Sequence, residues 1–532
     1  MTRFSLRRPR LPRALLAALL ALASPAGAAE LRIGLAAEPT SLDPHFHNFW
    51  TNVATGWHIF DGLVQQDAQQ RLVPGLATGW RALDDRTWEF TLREGVRFSD
   101  GGAFTADDVA FTISRIPLVP NSPSSFVVYT GNIEAVEVAG PHTIRIRSRE
   151  PDPLVPANLS LFAIMGRAQS GGAAPEGRTT AELNTGAGLV GTGPYRFVEW
   201  SRGNRLVLDR NPDHWRGAEP WERVTFRPIP NGGARTAALL AGDVDVIENV
   251  PLASVAELRN DRRVALWSGP TNQIMYITLD SFAEPSPGVS GTEGRNPLKD
   301  PRVRRALSLA IDRQAIAQRL MEGAALPAAE LVPPFMFGAD PAAAVERFDP
   351  AGARQLLAEA GYPNGFRLVL GTASDRYPNI QQVAQAIGSG WGRIGVRTEV
   401  DGAPWSAFVG RRNRFEYSAY IGGSQAYSGE MSLILSYLVQ TADAASGNGM
   451  LNKGRYSNPR LDALLERAKR TPENAPRESL LQQASRVAME DHAVLPLYFS
   501  VLTTGTRAGL RTEPRVDTSI LATAIRPVEP AR

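Results

Sequence analysis

The rhythm of hydrophobic and polar positions changes along the chain, and each change marks an element. LRIGLAAEPTSLDPH (31–45) begins apolar and turns polar, which predicts a buried strand running into a loop. RTWEFTLREGVRF (86–98) alternates on both sides of Glu94-Gly95 and predicts a hairpin. Thr105 and Asp108 have capping-box spacing ahead of Val109, Ile113 and Ile116, so a helix with one apolar face should start there. Alternation around Gly140-Pro141 (134–138 and 143–147) and around 202–204 (195–200 and 205–209) predicts two more hairpins.

Helical spacing dominates the second half. Asp300-Pro301 should cap a helix running to about Leu320, with Val303, Ala306, Leu307, Ala310, Ile311, Ala317 and Leu320 on its apolar face and Gly323 as its stop. Asp349-Pro350 starts another helix, ended by Gly361. FRLVLGT (366–372), a helix at about 379–393 and GVRTEV (395–400) form a β-α-β pattern. Helices at about 459–470 and 473–490 precede a buried strand, LPLYF (495–499). Stretches 168–190 and 281–296 are rich in Gly, Ser and Pro and read as surface loops. The class is α/β, with no internal repeat.

Little of this carries reaction chemistry. GAGLVG (186–191) has the letters of a dinucleotide fingerprint, but no strand precedes it and Pro194 blocks a following helix, so it reads as a loop. There is no P-loop, HExxH or GxSxG. His45 and His47 could offer two metal ligands, yet none of the six His pairs at i, i+4 on a predicted helix. The reading is a polar loop, with no metal and no cofactor expected. Asp107-Asp108 is explained by helix capping. Asp243 and Asp245 alternate with valines in AGDVDVIENV and should face solvent or a loop. Trp405, Tyr427 and Tyr276 lie in or beside Gly-rich or polar segments after predicted strands, where loop residues line clefts in α/β folds.

Composition narrows the class. The 532 residues are 43% apolar and 21% charged, a globular balance for a chain long enough for several domains. Zero Cys excludes disulfides, thiolate metal sites, Cys nucleophiles and lipid attachment through cysteine. Residues 1–13 are basic, 14–23 are apolar, and SPAGAAE follows, the order of a secretory signal peptide cleaved after Ala28 or Ala29. The apolar run is shorter than the roughly 20 residues that span a bilayer. Without the five arginines of residues 1–29, 52 basic residues face 54 acids, a net charge of −2. Nearly all the basic residues are Arg, with Lys only at 299, 453 and 469, and no basic run sits among stacking aromatics. No nucleic-acid partner is expected.

In this order, several segments resemble the extracytoplasmic solute-binding proteins of the peptide/nickel ABC-importer class. They include EPTSLDPH (38–45), IFDGLV (59–64), PGLATGW (74–80), WEFTLREGVRFSDGGAFTADDVAFT (88–112) and GTGPYRFVEW (191–200). They continue with NPDHWRG (211–217), LLAGDVDVIENVP (239–251), DPRVRRALSLAIDRQAIAQRLMEGAALPA (300–328), RQLLAEAGYPNGF (354–366) and YSNPRLDALLERA (456–468). The resemblance covers about 38–499. It implies a two-lobed type II periplasmic binding protein with a smaller domain inserted in lobe I. Mapped onto this chain, lobe I is 30–72, 190–268 and 496–532, the insertion 73–189 and lobe II 269–495, after a signal peptide at 1–29.

The implied function is non-enzymatic. A monomer captures a peptide or peptide-like solute between its lobes and delivers it to an ABC permease with a cytoplasmic ATPase. The implied place is the periplasm, without a lipid anchor. In dipeptide binders of the family an Arg before a lobe II helix grips the ligand carboxylate, and Arg376 in ASDRYPNI (373–380) matches; Arg suits that bidentate role. The Asp that holds the ligand ammonium has no counterpart in YSAYIGGSQAYSGE (417–430), where Gly422, Gly423, Ser424 and Gln425 take its place. Either Glu430 reaches back, or the ligand has no free ammonium there. The expected ligand-binding set is Arg376, Gly422, Gly423, Ser424, Gln425, Trp405, Tyr427, Tyr276, His45 and Glu430. Alternatives are a non-peptide cargo such as an opine-like conjugate or short glycan, a nickel or metallophore carrier resting on His45 and His47, a periplasmic sensor or chaperone, and a secreted hydrolase. The last lacks any visible nucleophile–base–orienter set.

Overall fold

The computed structural model describes residues 29–171, 176–443 and 446–528. The signal-peptide reading of 1–29 therefore falls almost wholly outside the described residues. Two long strands, Val264–Leu279 and Val494–Arg507, pair antiparallel and form the seam of the molecule. Among the described residues they sit in the middle of an eleven-stranded sheet. On one side lie Val246–Ile247, Glu30–Leu35, Arg223–Pro228, Arg205–Arg210 and Tyr195–Ser201; on the other lie Ala419–Gln425, Arg367–Ala373 and Arg397–Ala403. The first group falls in the segments expected to form lobe I and the second in the segment expected to form lobe II. A separate four-stranded sheet, from Ala77 to Ser148, falls in the stretch expected to be the insertion.

The seam strand obeys period-two geometry with both faces buried. Met275, Ile277 and Leu279 enter one core with Leu307, Leu370, Val383 and Trp391; Ile274 and Tyr276 enter another with Ile434, Leu461, Leu481 and Phe499. Helix Ile380–Gly392 covers the first face, and helices Met431–Leu438, Pro459–Lys469 and Asn474–Glu490 cover the second. Two further cores lie around Ile33, Phe60 and Phe226 and around Phe90, Phe104 and Ile146, and each draws residues from both sides of the expected boundary: Phe111 and Ala163 join the first, Val53 and Leu63 the second.

Most elements stand where the pattern puts them, with three corrections. Residues 86–98 are not a hairpin: Thr87–Leu92 pairs with Ala77–Ala82 and with Thr143–Ser148, and 96–98 turn away. The helix at 300–320 is broken. It runs as Pro301–Leu309, then restarts at Arg313, because the Asp312 side chain accepts from Ala315 N at 2.9 Å and so caps a new turn. Buried Arg313 fixes the break by donating to Pro496 O (2.7 Å) and Ser308 O (3.1 Å). Finally, Asp245 does not face solvent. Its carboxylate is buried between Arg32 and Arg507, each at 3.0 Å, tying the first strand to the seam.

One buried carboxyl has a stability consequence. Glu330 accepts Asp340 N at 2.9 Å and the Ser485 hydroxyl at 2.7 Å, with no cation against it. Burial pushes it up from an ordinary 4.5 to about 7. A carboxyl raised by folding costs nothing below about pH 4.5, and its cost grows to full size above pH 7. Glu330→Gln should therefore stabilise the protein at pH 8 by about 2–3 kcal/mol and change little at pH 4. Denaturant titrations at the two pH values check this, and equal shifts at both would refute it.

Candidate ligand-binding cleft

Arg367–Ala373, Arg397–Ala403 and Ala419–Gln425 run in one direction. The segments leaving their C-terminal ends therefore converge on one edge of lobe II, where α/β sheets place their ligand sites. These segments carry Arg376 and Tyr377, then Trp405, then Tyr427. The structure thus brings together three expected residues separated by up to 51 positions in sequence.

Contacts fix the group. Asp375 accepts the Trp405 backbone N–H at 2.8 Å and so holds the start of helix Trp405–Asn413. The Arg376 guanidinium lies 5.0 Å from the Trp405 ring centre. Tyr427 donates to Gln425 Oε1 at 2.5 Å, and Gln425 Nε2 donates to buried Asn272 at 3.3 Å. Burial raises the phenols of Tyr377 and Tyr427, and the charge of Arg376 pulls both back. Arg376 itself is exposed.

Lobe I reaches this edge through Gln70. Asn272 Nδ2 donates to Gln70 Oε1 at 2.8 Å, and Gln70 Nε2 donates to Tyr427 O at 3.4 Å. Gly429, at φ +75°, lets the Gln70 carbonyl approach; a Cβ there would lie 2.6 Å from it. Trp50, at the start of helix Trp50–Ile59, sits 6.5 Å from the Tyr427 ring. Behind Gln70, a cavity of about 450 Å³ separates Trp80 and Trp88 of the insertion from Phe337 and Arg477 of lobe II.

Other expected residues have structural duties. Gly422 and Gly423 are opposite Tyr276 and Met275 in the sheet. A Cβ on Gly422 would sit 2.9 Å from the Tyr276 ring, and one on Gly423 2.7 Å from the Tyr377 hydroxyl. The space an acid would need at these two positions is filled by tyrosines. Tyr276 is itself buried in the lobe II core rather than facing a ligand. Ser424 is half-buried at the same strand end.

Two residues lie apart from the group. His45 is fully buried against Arg115, Phe126, Phe162 and Ala163. Its Nε2 meets Ala163 O at 2.8 Å and its Nδ1 meets the Arg115 guanidinium at 2.9 Å. The Arg can only donate, so Nδ1 accepts and Nε2 carries the proton. Burial draws this imidazole down to about 4, and neither nitrogen is left for a ligand. Glu430 does not reach back to the cleft: Arg477 Nη1 donates to both its oxygens at 2.7 Å, and Ser432 adds a third donor. Among the described residues no group of three or more His, Cys, Asp or Glu is placed to hold a metal.

Sequence reasoning missed Gln70, Asn272, Tyr377 and Trp50. The polar triplet Thr271-Asn272-Gln273 inside a mostly apolar seam strand was a readable signal. Gln70 offered none, since its partner lies 202 residues away.

Comparison with known proteins agrees with this architecture. The family model for bacterial extracellular solute-binding proteins, family 5, matches residues 71–446. Heme-binding protein A of Haemophilus influenzae is 28% identical over 84% of this chain and 83% of its own length. Glutathione-binding protein GsiB of Salmonella typhimurium is 28% identical over 86% of each chain. The periplasmic murein peptide-binding protein MppA of Escherichia coli is 27% identical over 87% of this chain and 86% of its own. A solved structure of the MppA murein tripeptide binding protein, in its unliganded open form, superposes with a TM-score of 0.80 at 26% identity, covering 94% of this chain and 98% of the other. A two-lobed α/β fold built around a seam of two long strands and a family match over most of the length lead to one assignment: the chain belongs to the bacterial extracellular solute-binding proteins of family 5.

Proposed function

We propose that this solute-binding protein captures a peptide-like cargo by a carboxylate gripped at Arg376 and hands it to an ABC permease. The observation that carries the reading is the exposed Arg376 guanidinium, beside Trp405 and Tyr427 at the C-terminal edge of the lobe II strands. As the lobes close, water leaves, and the charged contact strengthens in the lower dielectric. Only a cargo that binds the closed form better than the open form shifts the protein toward it.

The relatives are named for heme, glutathione and murein peptide, so family membership leaves the cargo open. The commitment of Glu430 to Arg477 favours a ligand without a free ammonium at lobe II. An opine-like conjugate or short glycan is the second reading. A metallophore is not favoured, because both nitrogens of His45 are occupied. We place the protein in the periplasm as a monomer released by signal cleavage, without a lipid anchor.

Native mass spectrometry of protein from its own periplasm, followed by denaturation, tests this reading. Released masses should be those of peptides or of one acidic conjugate. A protein that carries no solute, and stays equally extended in small-angle scattering with periplasmic extract added, would overturn it.

A further inference from the structure

We infer that Arg412 is a second anion-binding group beside Arg376, so that the cargo presents two acidic groups, and no ammonium, to lobe II. The inference rests on the proposed carboxylate grip at Arg376 and assigns the class of ligand that grip serves.

The two guanidiniums share one aromatic ring. Arg376 lies 5.0 Å and Arg412 6.0 Å from the centre of Trp405. The Tyr377 phenol, raised by burial, is pulled back by the charges of both arginines. Burial lowers Lys453, and the charge of Arg412 lowers it further, so a third cation lies within reach of the same field.

What sets Arg376 and Arg412 apart is their lack of acids. Neighbouring arginines are paired: Arg411 with Asp401 at 2.7 Å, Arg414 with Glu416 at 2.6 Å, and Arg455 with Asp280 at 2.9 Å. Among the described residues, neither Arg376 nor Arg412 has a carboxylate within 4.0 Å. Arg412 bonds only the neutral side-chain oxygen of Asn413, at 3.2 and 3.3 Å. Asp375, in the Arg376 loop, is held by the Trp405 amide. Residues 417–429 contain no acid, and Glu430 is taken by Arg477.

Physical chemistry gives this arrangement a purpose. Two like charges brought together repel, and the face of an indole only partly offsets that. A ligand with one carboxylate neutralises half of the site. A ligand with two, set a few bonds apart, neutralises both, and each contact gains the strength of a charge-assisted bond. An ammonium brought to the same wall meets two guanidiniums, and the one carboxylate in that loop, Asp375, already accepts the Trp405 amide. The fitting class is a dicarboxylate end, such as an N-blocked peptide whose last residue is acidic.

Titration calorimetry at low salt with N-acetyl-alanyl-glutamate and N-acetyl-alanyl-glutamine tests the inference. These probes differ by one charge at nearly constant shape. The glutamate peptide should bind at least about tenfold tighter, and the preference should shrink with salt. Arg412→Gln should collapse the preference to within about twofold, Arg412→Lys should keep part of it, and Arg376→Gln should weaken both peptides. Equal binding of the two peptides by the unaltered protein, with both weakened by Arg376→Gln, overturns the inference and leaves the Arg376 grip standing. A preference unmoved by Arg412→Gln in a variant that melts normally also overturns it. Failure of both peptides to bind overturns the inference together with the reading beneath it.

Discussion

Arg376→Ala is expected to weaken cargo binding by about 2–5 kcal/mol, a loss on the order of 30-fold or more. In the free protein the guanidinium is exposed and leans on Trp405, so its removal leaves no buried group unpaired. The melting temperature should hardly move. In the complex, the same truncation strands a ligand carboxylate in a closing, drying cleft, and that penalty supplies most of the loss. Arg376→Lys should recover only part of it, because an ammonium is a point charge where a planar fork is needed. Calorimetry with cargo released from the unaltered protein measures the effect. An unchanged affinity would remove Arg376 from the site.

The largest effect on stability is expected at Arg115. Its guanidinium, buried at the end of helix Ala106–Arg115, grips Asp43 with two bonds of 2.9 and 2.8 Å. It also donates to the carbonyls of Glu176 (3.0 Å) and Arg178 (3.1 Å), while Thr180 donates to Asp43 at 2.7 Å. Burial alone would raise the Asp43 carboxyl, but the bonds and charge of Arg115 win and hold it below the carboxylate range. Arg115→Met leaves that carboxylate buried without its cation and should cost about 3–5 kcal/mol at pH 7. A carboxyl lowered by folding adds stability that is present above about pH 3.8 and lost as pH falls through its folded value. The gap between variant and parent should therefore narrow toward pH 3. Adding Asp43→Asn to the variant should restore part of the loss, since both charges are then gone. Urea denaturation across pH checks all three outcomes, and a loss below about 1 kcal/mol at pH 7 would refute the account.

The same pair shows what could be read from the sequence. The motif containing Asp43 and His45 helps to mark the family, yet its side chains hold the join between the first strand's loop and the insertion. Nothing in a single sequence reveals that Arg115, 72 residues on, is the partner of Asp43. The α/β class, the β-α-β unit at 367–403 and the two long helices near the C-terminus were legible because periodicity and capping are local. The break before Arg313 was not, since a continuous apolar face hid a competing cap at Asp312. Nor were the duties of Asp245 and Glu430, each decided by an arginine distant in sequence. At the proposed site, Trp405 and Tyr427 could be named because each follows a strand, and Arg376 because ASDRYPNI resembles the family's carboxylate-gripping segment. Arg412 could not, because its significance lies in the acids that its neighbours have and it lacks.

The paired seam strands bear on how such a protein acquires new cargo. The chain leaves lobe I along Val264–Leu279 and returns along Val494–Arg507, with Thr278 and Val494 side by side. Residues 280–493 are thus a single uninterrupted stretch whose entrance and exit adjoin. Arg376, Trp405, Arg412, Gln425 and Tyr427 all fall inside it. Two crossovers in a gene, at neighbouring points of the folded product, would exchange this whole wall as one cassette. The recipient would keep its own lobe I and insertion, so an inherited transporter could try a new diet in one recombination event.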